Sequence, residues 1–470
     1  MRKVLIANRG EIALRVIRAC RELDLPTVAV YSEADEAALH VRRADESVCI
    51  GKAAPRHSYL NIDAILAAAK ETQADAIHPG YGFLSESGRF AAACESAQIT
   101  FIGPSALAIE QMGDKSAART LAREAGVPTV PGTDRAAGRS ELLAAGEDVG
   151  YPVMIKAVAG GGGRGIRVAH DRDELTQLVA MAEREAESAF GDGSLYLEKF
   201  LEDPRHVEVQ VLGDEHGNVI HLYERECSLQ RRRQKILEEA PSPALRLETQ
   251  RAICESAVRL ARAGGYTNAG TVEFLLDQQG NFYFIEMNAR LQVEHAVTEM
   301  ITGIDLVRSQ LLVAAGEKLG LSQDDVTPIG SSIEFRINAE DPDQDFFPSP
   351  GEVVSLTLPG GPGVRMDTAL YAGYTVVPFY DSLICKLIVW APTREQAILR
   401  GRRALQELEI DGIKTSTSLH LRLLDDASFR AGDVHTSYLE QVLNGARKSS
   451  ADGPASGSPS TLERVDSRKS

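Results

Sequence analysis

A strict alternation of apolar and polar residues runs from Ile285 to Glu294. The polar positions are Glu286, Asn288, Arg290, Gln292 and Glu294. An extended chain points successive side chains to opposite faces, so the pattern predicts a strand with one apolar and one wholly polar face. An amphipathic surface strand with solvated charges would show the same alternation, so the pattern needs support from its neighbours.

The residues upstream favour a functional interpretation of this polar face. We predict a strand from Thr271 to Leu276, a turn from Asp277 to Gly280 and a returning strand from Asn281 to Asn288. Glu273 then lies opposite Glu286 or one diagonal away, where two carboxylates repel each other. A divalent cation would relieve this repulsion, and Mg²⁺ is usually held by a few oxygen side chains together with phosphates. The guanidinium on the same face suits an oxyanion and the last carboxylate can move a proton, which indicates metal-assisted chemistry on an anion.

Residues 1 to about 112 alternate between predicted strands and helices. The predicted strands are Val4 to Ala7, Thr27 to Tyr31, Ala76 to His78 and Thr100 to Ile102, and the predicted helices are Glu11 to Leu23, Asn61 to Lys70 and Arg89 to Ser96. This alternation predicts a doubly wound α/β domain. The first turn, Asn8 to Glu11, lacks the glycine fingerprint of dinucleotide-binding folds, so we expect such a fold without NAD binding.

Two further units follow this domain. The second extends from about Met112 to residue 325, and the third from about Ser331 to Leu443, with many strands and one clear helix from Arg394 to Leu408. Residues after about Arg447 are mainly Ser, Gly, Pro and charged residues, and are predicted to be disordered. We therefore expect domains at 1–112, 113–328 and 329–446, with a tail at 447–470.

The composition narrows the classes of function. Hydrophobic residues make up 43% and charged residues 25% of the 470 residues, as in an ordinary globular protein. The net charge of −16 argues against nucleic acid or an anionic membrane as the main partner. The six cysteines form no CxxC pair, which indicates neither a zinc site nor a disulfide framework and fits a reducing cytoplasm. No apolar run is long enough to span a membrane, and the N-terminus does not resemble a signal sequence.

Four consecutive glycines follow an apolar strand in the second unit. The segment from Tyr151 to Val168 contains Lys156 on the strand and the glycines from Gly160 to Gly163, with Gly165, in the loop. The glycines match GxGxxG, but a strand follows them instead of a helix, and the lysine precedes them, unlike in a Walker loop. Glycines permit close backbone approach, so we expect a β-hairpin whose tip folds over phosphates. A flexible surface loop is the alternative.

Two strands after the glycine loop carry weaker signals. Ser194 to Leu201 is predicted as a strand leading into a hinge, whose backbone could meet an adenine edge. In the next strand, His206, Glu208 and Gln210 share one face. A structural and a functional role for His206 are both open.

Three other segments are candidates for ligand binding. The basic run from Gln230 to Lys235 is either a solvated charge cluster or an anion-binding edge. Arg336 and Asn338 share a face of the first strand in the third unit. The segment from His78 to Glu86 follows a strand end, which is a usual position for ligands in open α/β sheets.

Taken together, these motifs resemble biotin carboxylase, the ATP-grasp component of biotin-dependent carboxylases. The resemblance covers residues 1 to about 445. It rests on Ile6 to Ala13, His78 to Glu86, Met112 to Lys115, the glycine hairpin, Gln230 to Lys235, Glu286 to Glu294 and Arg336 to Asp341. It implies an α/β protein with an ATP-grasp fold, an N-terminal Rossmann-like domain, a glycine-rich lid and a C-terminal α+β domain.

The resemblance also implies a reaction and its partners. ATP with Mg²⁺ or Mn²⁺ would phosphorylate bicarbonate to carboxyphosphate, which would then carboxylate biotin. The chain shows no Met-Lys-Met biotinylation motif near its end, so we expect biotin to be carried by a separate biotin carboxyl carrier protein. Carboxyltransferase subunits would complete an acetyl-CoA carboxylase of fatty acid biosynthesis or a related enzyme. The family further suggests a cytoplasmic homodimer.

The matched motifs imply a role for individual residues. The ATP contacts would be Lys115, Lys156, Gly160, Gly161, Gly162, Gly163, Gly165, Glu198, Lys199, Leu201, His206 and Gln230. The metal ligands would be Glu273, Glu286 and Asn288. Bicarbonate would meet Lys235, Arg290, Gln292, Val293 and Glu294, and biotin would meet Arg336, Tyr81 and Gly82. The catalytic residues would be Glu294 as the base, Lys235 and Arg290 as anion contacts, and Arg336 for the biotin enolate.

Three positions depart from the usual pattern of the family. Ala296 stands where proline is common, Arg233 where histidine is common, and Ala159 where a fifth glycine is common. We expect these differences to tune activity without abolishing it. Two other functions remain open: a different ATP-grasp ligase that joins a carboxylate to an amine, and an ATP-binding subunit without chemistry. Intact acid, base and metal positions argue against the second.

Overall fold

The structure, a computed structural model, describes residues 1–133, 138–158 and 166–443. The predicted phosphate-lid glycines, Gly160 to Gly163 and Gly165, lie outside the described residues, as does the predicted tail at 447–470. None of the helices in the described ranges combines the length and the apolar character needed to cross a membrane.

The N-terminal part is built on a parallel sheet. Its strands are β1 (Val4–Ile6), β2 (Thr27–Ser32), β3 (Glu46–Gly51), β4 (Ala76–His78) and β5 (Thr100–Phe101), and its helices are α1 (Gly10–Glu22), α2 (Leu39–Arg43), α3 (Ile62–Glu71), α4 (Gly88–Ser96) and α5 (Ala106–Gly113). The strand order β3-β2-β1-β4-β5 confirms the doubly wound prediction. The sequence pattern missed β3, because most of its side chains are exposed or half-exposed.

Two loops at the carboxyl ends of neighbouring strands are joined by Asn8. Strands β1 and β4 pair in parallel, so the loops that follow them lie side by side. The Asn8 amide donates to the carbonyl oxygens of Pro79 at 2.7 Å and Tyr81 at 2.8 Å. Gly80 has a φ of +64°, and a Cβ there would come within 2.8 Å of the Asn8 side chain. The contact fixes the loop that presents Tyr81.

The middle part contains a small sheet and most of a large one. Its strands are β6 (Val153–Ala157), β7 (Arg167–Ala169), β8 (Leu195–Lys199), β9 (Arg205–Gly213), β10 (Val219–Arg231), β11 (Gln234–Ala240), β12 (Asn268–Leu276) and β13 (Phe282–Asn288). Its helices are α6 (Lys115–Glu124), α7 (Arg139–Val149), α8 (Arg172–Phe190), α9 (Leu247–Ala263), α10 (His295–Thr302) and α11 (Leu306–Ala314). Strands β6 and β7 pair antiparallel on either side of the glycines, as expected for the glycine hairpin.

The C-terminal part continues the large sheet. Its strands are β14 (Ser331–Asn338), β15 (Glu340–Asp341), β16 (Phe347–Pro348), β17 (Gly351–Glu352), β18 (Ser355–Thr357), β19 (Val364–Thr368), β20 (Thr375–Val376), β21 (Leu383–Ala391) and β22 (Glu409–Asp411), and its helices are α12 (Arg394–Glu407), α13 (Thr417–Asp425) and α14 (Ala427–Ala431). The large sheet has the order β13-β12-β9-β10-β11-β14-β21-β19. It therefore crosses the predicted boundary at 328/329 through the β11–β14 pair.

One face of β9 packs into the core and the other faces the functional cleft. Val207, Val209 and Val211 belong to a core cluster that also contains the apolar side of α9. The alternate residues His206 and Glu208 are also buried, on the opposite face of the strand. The period-two pattern thus separates the side chains of β9 that pack in the core from those that face the cleft.

The expectation of one continuous strand through Glu294 is wrong in its second half. Strand β13 ends at Asn288, where its pairing with Thr271 also ends, and Glu294 immediately precedes α10. Gln292 and Glu294 are buried instead of lying on an open polar face. The chain has to leave the sheet after Asn288 in order to turn into the helix, so residue alternation continues there without strand pairing.

Candidate active site

A cleft of about 560 Å³ collects most of the predicted substrate and metal residues. Those that line it are Tyr81, Gly82, His206, Lys235, Glu273, Glu286, Asn288, Arg290, Gln292, Val293, Glu294 and Arg336. They come from the loops of the N-terminal part, from the large sheet and from the segment between β13 and α10. The tertiary structure thus brings together side chains that lie far apart in the sequence.

Lys235 lies at the centre of a group of buried acidic and amide side chains. Its Nζ is 2.6 Å from Glu294 Oε1, 3.1 Å from Glu273 Oε1 and 3.2 Å from Gln292 Oε1, and it also contacts Glu208. Burial lowers the pKa of Lys235, but the surrounding carboxylates outweigh it and hold the pKa well above its usual value. The ammonium therefore stays charged and can bind an anion that displaces one of these carboxylates.

Glu294 is held between two cations. One carboxylate oxygen accepts from Lys235, and the other accepts from Arg336 Nη2 at 2.8 Å. Burial raises the pKa of Glu294, but Lys235 and Arg336 lower it more, so its pKa lies well below the usual value. An ionised carboxylate has the protonation state that a general base needs.

Arg290 extends this cationic wall toward the N-terminal part. Its Nε donates to Glu86 Oε2 at 2.8 Å, and its Nη2 donates to Asn288 Oδ1 at 3.2 Å. Glu86 ends the motif from His78, but the sequence pattern assigned it no role. Its contact ties the predicted anion contact to this motif, part of which lines the cleft.

The three predicted metal ligands are adjacent on β12 and β13. Glu273 and Glu286 are direct cross-strand partners, as predicted, and Asn288 Nδ2 donates to Glu273 Oε1 at 2.9 Å. Burial and the facing Glu273 raise the pKa of Glu286, and Lys115 lies 3.8 Å from its carboxylate. Two facing carboxylates and an amide form an oxygen-rich donor set, which fits a hard divalent cation.

His206 lies on the inner side of this donor set. Its Nε2 is 3.0 Å from Glu273 Oε2, and its Nδ1 is 2.7 Å from the amide nitrogen of Gln230. Burial lowers the pKa of His206, but the Glu273 carboxylate outweighs it, so the pKa lies above its usual value. This environment favours the protonated form of His206, which would suit contact with a phosphate.

The other predicted ATP contacts lie on the small sheet and on α6. Glu198 on β8 accepts from both Lys156 on β6 and Arg119 on α6. The ammonium of Lys199 donates to the backbone carbonyls of Gly150 and Tyr151 at 2.9 Å each, so its side chain braces the small sheet. An adenine contact of Lys199 would therefore use its backbone.

Leu201, the last residue of the predicted strand, follows β8 in the adjoining loop. Arg119 was missed by the sequence analysis, because a single arginine on an amphipathic helix carries no local signal.

Arg336 and Tyr81 face the same cleft from different walls. Arg336 Nε donates to Glu238 Oε1 at 2.6 Å, and the Tyr81 hydroxyl donates to Glu11. Gly82 follows Tyr81 with a φ of +67°, which favours glycine and leaves its backbone uncovered by a side chain. Among the predicted biotin contacts, Arg336 thus binds the Glu294 carboxylate, while Tyr81 and Gly82 line the same cleft.

Sequence analysis missed several buried charges behind the cleft. Arg225 on β10 is fully buried and binds Glu208, and Glu238 and Lys386 are fully buried on β11 and β21. Burial raises the pKa of Glu238 from 4.5 to about 7, against the effect of Arg336. An available signal was Lys386, an isolated charge within an otherwise apolar strand, since such residues are almost never buried without partners.

Three family models match consecutive parts of the chain. They are "Biotin carboxylase, N-terminal domain" at residues 1–109, "Carbamoyl-phosphate synthase L chain, ATP binding domain" at 114–322 and "Biotin carboxylase C-terminal domain" at 334–441.

Individual relatives agree over almost their whole length. The biotin carboxylase of Nostoc sp. is 54% identical over 94% of this chain and 99% of its own. A pyruvate carboxylase subunit of Methanothermobacter thermautotrophicus is 52% identical over 94% of this chain and 90% of its own. The biotin carboxylase domain dimer of Hydrogenobacter thermophilus 2-oxoglutarate carboxylase, solved with MgADP, ADP and bicarbonate, shares 52% identity with a TM-score of 0.88, over 94% of this chain and 97% of that chain.

Proposed function

Since the chain belongs to the biotin carboxylase family, we propose that it uses ATP and bicarbonate to carboxylate biotin. The observation that best supports this reaction is Glu294, an ionised carboxylate enclosed by Lys235 and Arg336 within the cleft. This arrangement offers a base, an anion contact and a second cation within one enclosed space. Such fixed charges stabilise developing charge without reorganisation of water.

Each step of the reaction has a group of this chain to carry it. Glu294 takes the proton of bicarbonate, one of whose oxygens then attacks the γ-phosphorus of ATP to form carboxyphosphate and ADP. Lys235 and Arg290 bind the bicarbonate anion and hold it against the nucleotide. Cleavage of the bond between the carboxyl carbon and the bridging oxygen of carboxyphosphate releases phosphate, which takes the ureido proton of biotin. Arg336 stabilises the resulting enolate form, and its ureido nitrogen bonds to the carboxyl carbon.

Glu273, Glu286 and Asn288 would hold a magnesium ion, which supplies positive charge to the phosphates during their transfer. Lys115 and Lys156 would contact the phosphates, with His206 near them. The segment from Glu198 to Leu201 would border the adenine.

We further propose that the biotin is carried by a separate carrier protein and that carboxyltransferase subunits complete the enzyme. The relatives support separate subunits, since one of them is named as one subunit of pyruvate carboxylase. An acetyl-CoA carboxylase or a related acyl-CoA carboxylase is the assembly we expect. Five of the six cysteines are buried and all are free, which agrees with a reducing cytoplasm as the location. A homodimer is proposed because the Hydrogenobacter domain is described as a dimer.

The test is the rate of ADP release from MgATP, measured with and without bicarbonate and free biotin. Biotin carboxylation requires a rate that biotin stimulates and that depends strictly on bicarbonate. Turnover with an amine acceptor, independent of biotin, would instead indicate another ATP-grasp ligase. Nucleotide binding without turnover under every condition, including with a biotinylated carrier, would indicate a protein without chemistry.

A further inference from the structure

Lys386 is a fully buried lysine that none of the predicted substrate contacts includes. Its Nζ donates to the carbonyl oxygen of Val293 at 2.6 Å and lies 3.4 Å from Glu11 Oε1 and 3.9 Å from Asp367 Oδ2. Burial lowers the pKa of Lys386, but the nearby carboxylates outweigh it, so the pKa lies above its usual value. A buried charge is tolerated only with such partners. Here the partners come from α1, from the segment before α10 and from β19.

The sheet register places Lys386 beside Arg336. The two residues are direct partners across β14 and β21, so their side chains share one face about 5 Å apart. Arg336 binds the carboxylate of Glu294, while Lys386 binds the carbonyl of Val293, the residue before it. That carbonyl and the Glu294 N–H belong to one planar peptide unit. Two neighbouring cations therefore fix both the side chain and the backbone of the proposed base.

The same ammonium is linked through Glu11 to the loop that presents Tyr81. Glu11 Oε1, which lies near Lys386, also accepts from the hydroxyl of Tyr81. Glu11 is buried, and its other oxygen has no hydrogen-bond partner among the described residues. The chain of contacts from Val293 through Lys386 and Glu11 to Tyr81 thus joins a predicted bicarbonate contact to a predicted biotin contact.

We propose that Lys386 is a positioning residue for biotin carboxylation, which aligns the Val293–Glu294 peptide with the cleft wall that carries Tyr81. The inference rests on the proposed function. Lys386 contacts no substrate in this assignment, so it acts through Val293, Glu294 and Glu11. Its loss would misplace the base and the bicarbonate contact while leaving the nucleotide site in place.

The first variant is Lys386→Met, which nearly keeps the length of the side chain and removes its charge. We expect the KM for bicarbonate to rise about tenfold and kcat to fall about tenfold, because small misplacements of reacting groups are costly. The Kd for MgATP should change by less than about twofold, since no assigned nucleotide contact involves Lys386. The matched control is Lys3→Met, whose ammonium also donates to a backbone carbonyl, at Thr72, outside the cleft. Its kinetic constants should equal those of the wild type.

A second variant separates positioning from folding. Lys386→Met leaves Glu11 without its cation, and Glu11→Gln in the same chain removes that uncompensated charge. Compared with Lys386→Met alone, the double variant should recover thermal stability but keep the raised KM for bicarbonate. If Lys386→Met alone does not fold, the KM for bicarbonate is measured in the double variant instead.

The outcomes separate a positioning lysine from a purely structural one. Recovery of both stability and the bicarbonate KM in the double variant would show a purely structural lysine and overturn the inference, as would unchanged kinetics in Lys386→Met. If neither free biotin nor a biotinylated carrier protein stimulates ADP release by the wild type, the proposed function is overturned, and this inference with it. A wild type that biotin stimulates, together with a raised KM for bicarbonate in both Lys386→Met and the double variant, supports both.

Discussion

Glu294 is ionised because of its neighbours, and its chemistry depends on them. Lys235 and Arg336 each bind one of its oxygens and hold its pKa well below the usual value. Glu294→Gln keeps the shape of the side chain, but it cannot take a proton. We expect bicarbonate-dependent turnover to fall about 10²- to 10⁴-fold, the usual contribution of a general base.

In the same variant, MgATP binding measured by calorimetry should stay close to that of the wild type. Glu317→Gln, an exposed change of the same kind, serves as the control and should leave turnover unaltered. Turnover unchanged in Glu294→Gln would remove this carboxylate from the mechanism.

Glu238 predicts a pH dependence of stability. Its pKa is about 7 in the folded protein, raised by burial from the usual 4.5. The folded protein therefore holds the proton more tightly than the unfolded chain. The stabilisation from that proton is complete below about pH 4.5 and is lost as the pH rises through 7.

Glu238→Gln removes this titration. Between about pH 5 and 8, the wild type should lose on the order of 1–3 kcal/mol of unfolding free energy relative to the variant. Urea denaturation followed by circular dichroism at several pH values measures the difference. Parallel pH profiles for the two proteins would contradict a raised Glu238 pKa.

The β12–β13 hairpin is the element that carries the metal site. The sequence predicted its two strands and its turn, and the register confirms that Glu273 faces Glu286. Residue alternation and a short turn are local information and predicted the hairpin. A register shift between Glu273 and Phe274 then places Glu273 directly opposite Glu286. The prediction failed after Asn288, because alternation of residue types does not reveal whether a partner strand is present.

The repulsion between the Glu273 and Glu286 carboxylates predicts how the protein responds to removal of magnesium. In the wild type, Mg²⁺ added to ATP should raise the melting temperature well above that with ATP and EDTA, because ligand binding to the folded state stabilises it. Glu286→Gln should lose most of this magnesium-dependent increase while melting at a similar or higher temperature without the metal. Glu215→Gln, on the exposed turn between β9 and β10, is the matched control. An undiminished magnesium effect in Glu286→Gln would place the metal elsewhere.

At the scale of the whole molecule, the large sheet joins the middle and C-terminal parts. Leu237 on β11 pairs with Phe335 on β14, and both residues belong to one hydrophobic core cluster. Cutting the chain at 328/329 would expose the edge of β14 and part of this core.

We therefore expect a fragment of residues 329–446 not to fold alone. Circular dichroism in increasing urea should show no cooperative transition for the fragment, while the full chain shows one under the same conditions. A cooperative transition in the fragment would mean that the C-terminal part is stable without β11.

The sequence by itself determined the doubly wound N-terminal domain, the hairpin with Glu273 and Glu286, and the motifs that resemble the family. These features depend on residue periodicity, on turn chemistry and on short motifs, all of which act over a few neighbouring positions. Only the tertiary structure decided that Glu294 lies between Lys235 and Arg336, and that Lys386 joins Val293 to Glu11. Those contacts depend on strand pairing and burial across distant parts of the chain, which no local pattern encodes. The tertiary structure also decided that the large sheet extends across the predicted boundary, because one strand pattern permits many pairing partners.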